Sequence, residues 1–462
     1  MESAIGERSQ RKRVERAVQS PWVASGSLPG RLRPATYRTD EMNPRYAGNP
    51  TILCFPGYPD DATALEFLAN EPKARQADFM TLPKEVRIEF CDQIKEVFVP
   101  AFEHIDGFQT MMRVLRGKYG ETNPLTGEFM NHLHRICLTG SPITLRSSGG
   151  YEGSTGGIVM FGPTGSGKSC LINRVCSYVG DGGVLHTALG GKPCRWPEIM
   201  IVRISAAGRA TVKQLALGIA SEVDDICGNN GVFERRLGSS TQYVTRTAVM
   251  LTSNLVGLLI IEDVQLWGRV DKRLRLSMLD FLVGVQEESR VPIMCVGTML
   301  LLDVLEAHMS QSEKLMTLGQ IPLLPILNDE DMNNICNAFW RWRVTAGDPE
   351  PPEWLAYEVK AYTAGLRRYI RKYFSALLAC MAQDGVVVPT RKYVREIAEK
   401  YMQPVLEAVR IINRAYCGKR VDRNALQKYE EYIGSDDYRR RVAERTAALS
   451  ERIEVRSRKM SK

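Results

Sequence analysis

The segment that most constrains the fold runs from Gly162 to Ser169, with the sequence Gly-Pro-Thr-Gly-Ser-Gly-Lys-Ser. It follows the apolar run 158–161 and precedes a helix-like stretch that begins at Cys170. Glycines allow positive φ angles and leave no side chain between the backbone N–H groups and phosphate oxygens. Lys168 supplies a point charge for the β and γ oxygens, and Ser169 can ligate Mg²⁺. The pattern therefore predicts a strand, a phosphate-binding loop and a helix that bind a nucleoside triphosphate with Mg²⁺. The residues predicted to contact the nucleotide are Gly162, Pro163, Thr164, Gly165, Ser166, Gly167, Lys168, Ser169 and Cys170.

Further apolar runs alternate with helical patterns after this loop. Strands are predicted over 198–204, 255–261, 292–296 and 321–326. A nearly continuous apolar run is what a parallel strand buried on both faces requires. Strands that alternate with helices predict a three-layer α/β domain with a parallel sheet, whose ligands bind at the carboxyl ends of the strands.

The composition of the chain changes along its length, and these changes suggest five regions. Helical patterns flank the α/β segment, and residues after Asn328 are helical throughout. We predict a flexible basic tail over residues 1–40, a helical N-terminal module over 41–145, a nucleotide-binding core over 146–328, a helical lid with C-terminal helices over 329–432 and a basic tail over 433–462.

The net charge of +8 comes from the two ends of the chain. Residues 1–40 carry eight Lys/Arg against four Asp/Glu, and residues 436–462 carry nine against five. Basic tails suggest contact with nucleic acid or an acidic partner, although a solvated tail explains either one equally well. The eleven cysteines form no C-x-x-C pair and are expected to be reduced and mostly buried rather than metal-binding. No apolar run is long enough for a bilayer span and the N-terminus is charged, so we expect a cytoplasmic protein.

Two acidic residues, Glu262 and Asp263, follow the apolar run 258–261. P-loop ATPases place an acid here that orders Mg²⁺, and the next residue often positions the attacking water. Two arrangements are open. Glu262 orders the Mg²⁺ shell and Asp263 reaches for the water, or Asp263 takes the Mg²⁺ role and Gln265 the water. Either arrangement should lower hydrolysis more than binding, because the loop grips the phosphates while the rate depends on the position of the water.

Two further positions are candidates for contact with the phosphates. Thr298 ends the next strand, where its hydroxyl would lie near the γ-phosphate and could report which nucleotide is bound. Arg367 and Arg368 open a helix in the C-terminal region, from which an arginine can fold over the nucleotide. Spacing alone does not decide which of the two points inward, and both are also typical of a charged helix surface.

With these elements in order, the chain resembles an AAA+ ATPase, and more closely the transposon-encoded transposition regulators of the TnsC/TniB type. Three stretches carry the resemblance: the Tyr-x-Gly-Asn-Pro-like segment 46–50, the motifs at 262–265 and 296–298, and the late helical segments 404–410 and 426–431. Together they cover about residues 40–432. The resemblance implies an AAA+ P-loop domain with a C-terminal helical lid.

The resemblance also implies how such a protein works. It implies an ATP- and Mg²⁺-dependent ring or filament, hexameric or heptameric, that encircles duplex DNA. It implies a link between a target-selecting protein of the TniQ/TnsD type and the transposase. Loops inside the ring would contact the DNA backbone independently of sequence and with strong salt dependence. The candidates here are Arg209, Thr211, Lys213, Arg269, Lys272 and Arg273.

Two departures from the family leave other functions open. The expected Asp-Glu pair is Glu-Asp in this chain, and the segment between Thr298 and the last strand contains Lys314 but no arginine finger. Lysine cannot form the planar bidentate contact of an arginine. A nucleotide-binding scaffold with little hydrolysis is therefore an alternative, as is a DNA remodeller related to replication initiators or helicase loaders.

Overall fold

The computed structural model describes residues 30–70, 81–139, 156–238, 242–306, 309–347, 349–417 and 419–434. Most of both predicted basic tails, 1–29 and 435–462, lies outside the described residues. The strands are β1 (Leu32–Pro34), β2 (Gly157–Phe161), β3 (Gly183–Leu189), β4 (Lys192–Ile199), β5 (Ile201–Ser205), β6 (Leu258–Glu262), β7 (Ile293–Gly297) and β8 (Gly319–Pro322).

The helices that precede or flank the central sheet are α1 (Pro50–Leu53), α2 (Asp61–Leu68), α3 (Lys84–Cys91), α4 (Phe102–Glu121), α5 (Gly127–Thr139), α6 (Lys168–Val179), α7 (Val212–Cys227), α8 (Val232–Gly238), α9 (Tyr243–Ser253), α10 (Lys272–Ser289), α11 (Leu301–Glu306) and α12 (Met309–Met316). The C-terminal helices are α13 (Asp329–Trp340), α14 (Leu355–Thr363), α15 (Arg367–Asp384), α16 (Arg391–Met402), α17 (Leu406–Tyr416), α18 (Arg423–Lys428) and α19 (Glu430–Ile433). Short 3₁₀ helices cover Pro44–Tyr46, Asp92–Lys95, Val264–Arg269 and Gln403–Val405. None of the helices in the described part of the chain is apolar enough over a sufficient length to cross a bilayer.

Five parallel strands form the central sheet, in the order β5-β6-β7-β2-β8. Phe161 of β2 pairs with Gly297 of β7, and Ser205 of β5 pairs with Glu262 of β6. The carboxyl ends of these strands therefore meet at one edge of the sheet. The phosphate loop, the acidic pair and Thr298 all follow strands that end at this edge.

Successive side chains of the sheet strands enter two different hydrophobic cores, as strand geometry requires. Val159 and Phe161 belong to the core that contains α7 and α10, whereas Ile158 and Met160 belong to the core that contains α4 and α6. Helices thus cover both faces of the parallel sheet. The predicted α/β fold class, a three-layer domain with a parallel sheet followed by C-terminal helices, is confirmed.

The C-terminal helices have a separate core, which we call the lid core. It contains side chains of α13 to α17. Cys91 at the end of α3, and Ile94 and Val97 from the segment after it, also belong to it. Within the lid, Arg395 of α16 binds both carboxylate oxygens of the buried Glu358 of α14, at 2.6 and 3.0 Å. The N-terminal helices therefore contribute to two different cores. Helices α1, α2 and α4 pack on the central sheet, whereas α3 packs on the C-terminal helices.

The segment 46–50 is part of this packing. Asn49 caps α1 by accepting a hydrogen bond from the Thr51 N–H at 3.1 Å, and its amide donates to the Tyr119 carbonyl at 2.8 Å. The ring of Tyr46 lies against Gly120, where a Cβ would be 2.1 Å from the ring. This segment fixes the start of α1 to the end of α4.

The prediction of one continuous strand over 198–204 is wrong, because this segment belongs to two strands. Ile201–Ser205 forms the buried parallel strand, but Glu198 and Ile199 end β4, which pairs antiparallel with β3. The chain bends at Met200, whose N–H donates to the Gly182 carbonyl at 3.4 Å. The residues on both sides of Met200 are apolar, so the hydrophobic pattern of the sequence did not show the bend.

Candidate nucleotide-binding site

The phosphate loop needs its glycines for two reasons. Gly165 and Gly167 have φ angles of +87° and +110°, which side-chain-bearing residues rarely adopt. A Cβ at Gly165 would lie 2.6 Å from the Cβ of Arg368, and one at Gly167 would lie 2.7 Å from Nε2 of His104. The loop backbone is therefore in direct contact with the lid on one side and with α4 on the other.

Lys168 and the loop serines present polar atoms that the protein itself does not fully use. Nζ of Lys168 donates to the carbonyl oxygens of Gly162 and Pro163, at 2.6 and 3.0 Å. Burial lowers the pKa of Lys168 to about 8, although the nearby Glu431 carboxylate acts in the opposite direction. Oγ of Ser166 is buried and has no hydrogen-bond partner among the described residues, whereas Ser169 is exposed to the cavity.

A cavity of about 460 Å³ lies next to this loop. Its size is in the range that holds a nucleotide-sized ligand. The loop with α6, the ends of β6 and β7, the start of α15 and the segment 95–99 line it, together with residues of α13 and α19. The cavity is lined by Thr164, Cys170 and both predicted lid arginines, whereas Gly162, Pro163 and Ser166, which the sequence also placed at the nucleotide, do not line it.

The two acids at the end of β6 are engaged by neighbouring side chains. A carboxylate oxygen of Glu262 accepts a hydrogen bond from Nε of Arg203, and the two form an ion pair. Asp263 adopts a left-handed φ of +61°, and its carboxylate accepts a hydrogen bond from the Ser205 hydroxyl at 2.7 Å. Asp263 is the more exposed acid and has no ion-pair partner among the described residues. Asp263 lines the cavity, as does Glu262.

Thr298 is placed by Gln265. The Thr298 N–H donates to Oε1 of Gln265 at 3.2 Å, which ties the end of β7 to the turn after β6. The Thr298 hydroxyl is buried and has no partner within the described part of the chain. A buried hydroxyl without a partner is costly, so this group can gain from a ligand oxygen in the adjoining cavity.

Arg367 and Arg368 meet the cavity in different ways. Arg367 donates to the Val99 carbonyl, and its guanidinium carbon lies 5.5 Å from the centre of the Phe98 ring. Burial lowers the pKa of Arg367 to about 10, although Glu103 and Asp331 act against this. The backbone N–H of Arg368 donates to the Gly165 carbonyl at 3.1 Å, while its side chain is exposed. Arg367 therefore joins the lid to the N-terminal segment, and Arg368 joins it to the phosphate loop.

Glu431 of α19 is a cavity residue that the sequence did not single out. Its carboxylate accepts a hydrogen bond from the Thr164 hydroxyl at 3.0 Å. The two residues are 267 positions apart, so no local pattern could have indicated the contact. This contact places a carboxyl group beside the predicted phosphate loop.

The predicted DNA-binding residues lie on two loops that touch each other and on the first turns of the helices α7 and α10 that follow them. Nε1 of Trp267 donates to the Arg209 carbonyl at 3.2 Å, which joins the loop after β5 to the turn after β6. Arg209 itself is used internally, since its guanidinium donates to the Ser205 carbonyl at 2.6 Å. Thr211 caps α7 and accepts from the Gln214 N–H at 3.3 Å. The exposed members of the set are Lys213, Arg269, Lys272 and Arg273.

Lys314, the cation considered in place of an arginine finger, forms an ion pair with Glu287 of α10. Its backbone carbonyl also accepts from Nε2 of Gln286 at 3.3 Å. Lys314 is thus already paired within its own subunit.

Comparisons with known proteins give only distant structural likenesses. No protein-family model and no curated protein matches the chain by sequence. Among solved structures, the chain is similar to an Orc1 protein of Aeropyrum pernix in complex with DNA, with 16% identity over 64% of this chain and 70% of that one and a TM-score of 0.36. It is also similar to a Walker-type ATPase of Pyrococcus abyssi (13% identity, 66% and 89% coverage, TM-score 0.37) and to the branch-migration motor RuvB of Thermotoga maritima (14%, 60% and 79%, TM-score 0.31). Scores this low carry no argument about what this chain binds.

Proposed function

We propose that this protein binds ATP with Mg²⁺ and assembles on duplex DNA in its ATP-bound form. The observation that carries the proposal is the single cavity in which the phosphate loop, the acids of β6, Thr298 and the lid arginines meet. A lid that contacts the nucleotide has different affinities for ATP and ADP, so hydrolysis or release can change its position.

The donor set fits a nucleotide with Mg²⁺. Mg²⁺ prefers oxygen ligands and binds through one or two protein groups plus phosphate oxygens. The exposed Ser169 hydroxyl and the Asp263 carboxylate would hold the ion, and Lys168 and Arg368 would face the phosphates. When bound, the ion would neutralise phosphate charge during transfer to water. Asp263 would orient the attacking water or hold the Mg²⁺ ion. The ion pair with Arg203 holds Glu262 next to Asp263.

DNA binding is supported by charge and position. Lys213, Arg269, Lys272 and Arg273 form an exposed basic surface on the two joined loops, which we call the basic loop pair. When lysine and arginine contact DNA phosphates, they release bound counterions, and this release favours binding. Such backbone contacts give the protein no preference for a DNA sequence. On the basis of the resemblance to the TnsC/TniB regulators, we propose that the assembled, DNA-bound form links a target-selecting protein to a transposase.

Assembly can be tested by sedimentation and electron microscopy with duplex DNA and a non-hydrolysable ATP analogue. We expect rings or filaments only when both are present. Particles that remain monomeric under these conditions would contradict the proposal. Unwinding of duplex DNA or loading of a helicase would instead favour the remodeller.

The basic loop pair has its own test. The double substitution Lys272→Ala/Arg273→Ala should lower the slope of log affinity against log salt by about 1 to 2, because each lost phosphate contact removes about one released ion. Lys392→Ala/Lys400→Ala removes two exposed cations from the lid helix α16 and serves as the matched control. If the salt slope fell equally in both double variants, only the net charge of the protein would matter for DNA affinity, and the basic loop pair would not be the DNA interface.

One observation favours the scaffold with little turnover. Glu262 is paired with Arg203, and the sequence from Met299 to Leu318 contains no arginine that could reach a neighbouring subunit's phosphate. Steady-state phosphate release distinguishes the two functions. If DNA stimulates ATP turnover and the substitution Asp263→Asn removes it, the scaffold function is excluded.

A further inference from the structure

A second cluster of chemically active side chains lies outside the nucleotide cavity. It consists of Cys54 just after α1, His186 of β3 and Glu198 of β4. Sγ of Cys54 lies 3.1 Å from Oε2 of Glu198, and Nε2 of His186 lies 2.8 Å from the same oxygen. The candidate ligand atoms of all three residues lie within 4.8 Å of one another. We call these residues the Cys-His-Glu cluster.

The cluster is buried and not fully satisfied by the protein. His186 and Glu198 have no solvent exposure, and Cys54 is 8% exposed. Oε1 of Glu198 is buried and has no hydrogen-bond partner among the described residues. A buried carboxylate with a free oxygen costs free energy unless a donor or a cation meets it. This oxygen is therefore free to meet a donor or a cation.

Tyr37 fixes the direction of the imidazole. Its hydroxyl lies 2.7 Å from Nδ1 of His186, and the two rings are stacked with centroids 5.8 Å apart. Burial raises the pKa of Tyr37, so the phenol stays neutral. A hydrogen bond at one ring nitrogen that leaves the other nitrogen facing the site is the usual arrangement around a metal-bound histidine.

The donor types select among cations. Thiolate, imidazole and carboxylate are the ligands of zinc, whereas Mg²⁺ and Ca²⁺ prefer oxygen alone. A thiolate, a carboxylate and a neutral imidazole together carry two negative charges, which a divalent ion balances to zero. Ligands of tetrahedral zinc lie about 3.4 Å apart. The two donor pairs that include Glu198, at 2.8 and 3.1 Å, are closer than this by a few tenths of an ångström, and all three donor atoms lie within 4.8 Å of one another.

We propose that Cys54, His186 and Glu198 form a site for a zinc ion, in which the three side chains take three corners of a tetrahedron and a water molecule takes the fourth. The ion would join the end of α1 to the β3–β4 hairpin. It would thereby add a second connection to the pairing of β1 with β3, which already joins the N-terminal segment to this hairpin. On binding, the Cys54 thiol gives its proton to solvent, and no change of oxidation state is involved.

The full-length protein tests this directly. After equilibration with zinc and removal of free metal, elemental analysis should find one zinc per chain, and removal of the zinc should lower the melting temperature. Titration with Co²⁺ should give ligand-field bands of a tetrahedral site and a sulfur-to-cobalt charge-transfer band. Absence of stoichiometric metal, or a cobalt spectrum without the charge-transfer band, would overturn the proposal.

Variants locate the site. Cys54→Ser should remove the charge-transfer band and weaken zinc binding at least about tenfold, because one of three protein ligands is lost. Cys194→Ser is the matched control, since Sγ of Cys194 points to the His186 carbonyl at 3.5 Å and lies outside the cluster. Loss of the band in Cys194→Ser with its retention in Cys54→Ser would contradict the assignment. If Cys54→Ser does not fold, Glu198→Gln and the wild-type spectrum decide the question.

Discussion

The phosphate loop and the acidic end of β6 face the same cavity but are held in different ways. The loop is fixed by its own backbone, through positive φ angles at Gly165 and Gly167 and through the carbonyls that bind Lys168. The acids are fixed by side chains of another strand, because Arg203 and Ser205 of β5 hold Glu262 and Asp263. If the protein binds ATP as we propose, phosphate binding would be a local property of a few consecutive residues. Turnover would depend on the sheet partners as well, so we expect that it can be lost separately.

The largest expected effect tests the loop alone. Lys168→Ala removes charge-assisted hydrogen bonds of about 1.5 to 3 kcal/mol, so nucleotide affinity should fall about 10- to 100-fold, as measured by titration with a fluorescent ATP analogue. Lys372→Ala, which removes an exposed cation from α15, should leave the affinity unchanged. Unchanged binding in Lys168→Ala would show that the loop is not the phosphate site.

The protonation of Lys168 gives the next largest effect. Burial lowers its pKa to about 8, so the ammonium group is mostly lost by about pH 9. ATP affinity should fall by up to about tenfold between about pH 7 and about pH 9. Lys168→Met should remove this dependence, and a wild-type affinity that is flat over this range would contradict it.

The same proton has the opposite effect on stability. The unfolded chain keeps it up to about the ordinary value of 10.5, whereas the folded chain releases it near pH 8. Between these values the unfolded state binds more protons, so this group's contribution to the free energy of unfolding rises with pH.

A smaller effect is expected from Glu431, whose carboxylate binds Thr164 of the loop. Glu431→Gln keeps the hydrogen bond but removes a negative charge from the phosphate cavity. ATP should then bind about threefold more tightly, as expected for one partly exposed charge. Glu430→Gln changes the neighbouring exposed acid and should leave the affinity as it is. Weaker binding in Glu431→Gln would mean that Glu431 helps to hold the nucleotide.

The sequence showed the parts of the site that are local. The loop, the ends of β6 and β7 and the start of α15 each have a short pattern, and parallel-sheet geometry brings such ends together. The sequence did not show contacts between distant segments, such as Glu431 with Thr164 or Cys54 with Glu198. It also missed the β3–β4 hairpin, because Pro193 and Pro197 interrupt the apolar alternation that indicates a strand.

The most direct test of the separation between binding and turnover is Asp263→Asn, with ATP affinity and phosphate release measured on the same preparation. We predict an affinity within about threefold of wild type and turnover lowered at least about tenfold, because the loop holds the phosphates while Asp263 acts on Mg²⁺ or water. Glu262→Gln, in which Arg203 keeps a hydrogen-bond acceptor, should lower turnover less. A loss of affinity in proportion to turnover in Asp263→Asn, or wild-type turnover in that variant, would contradict the account.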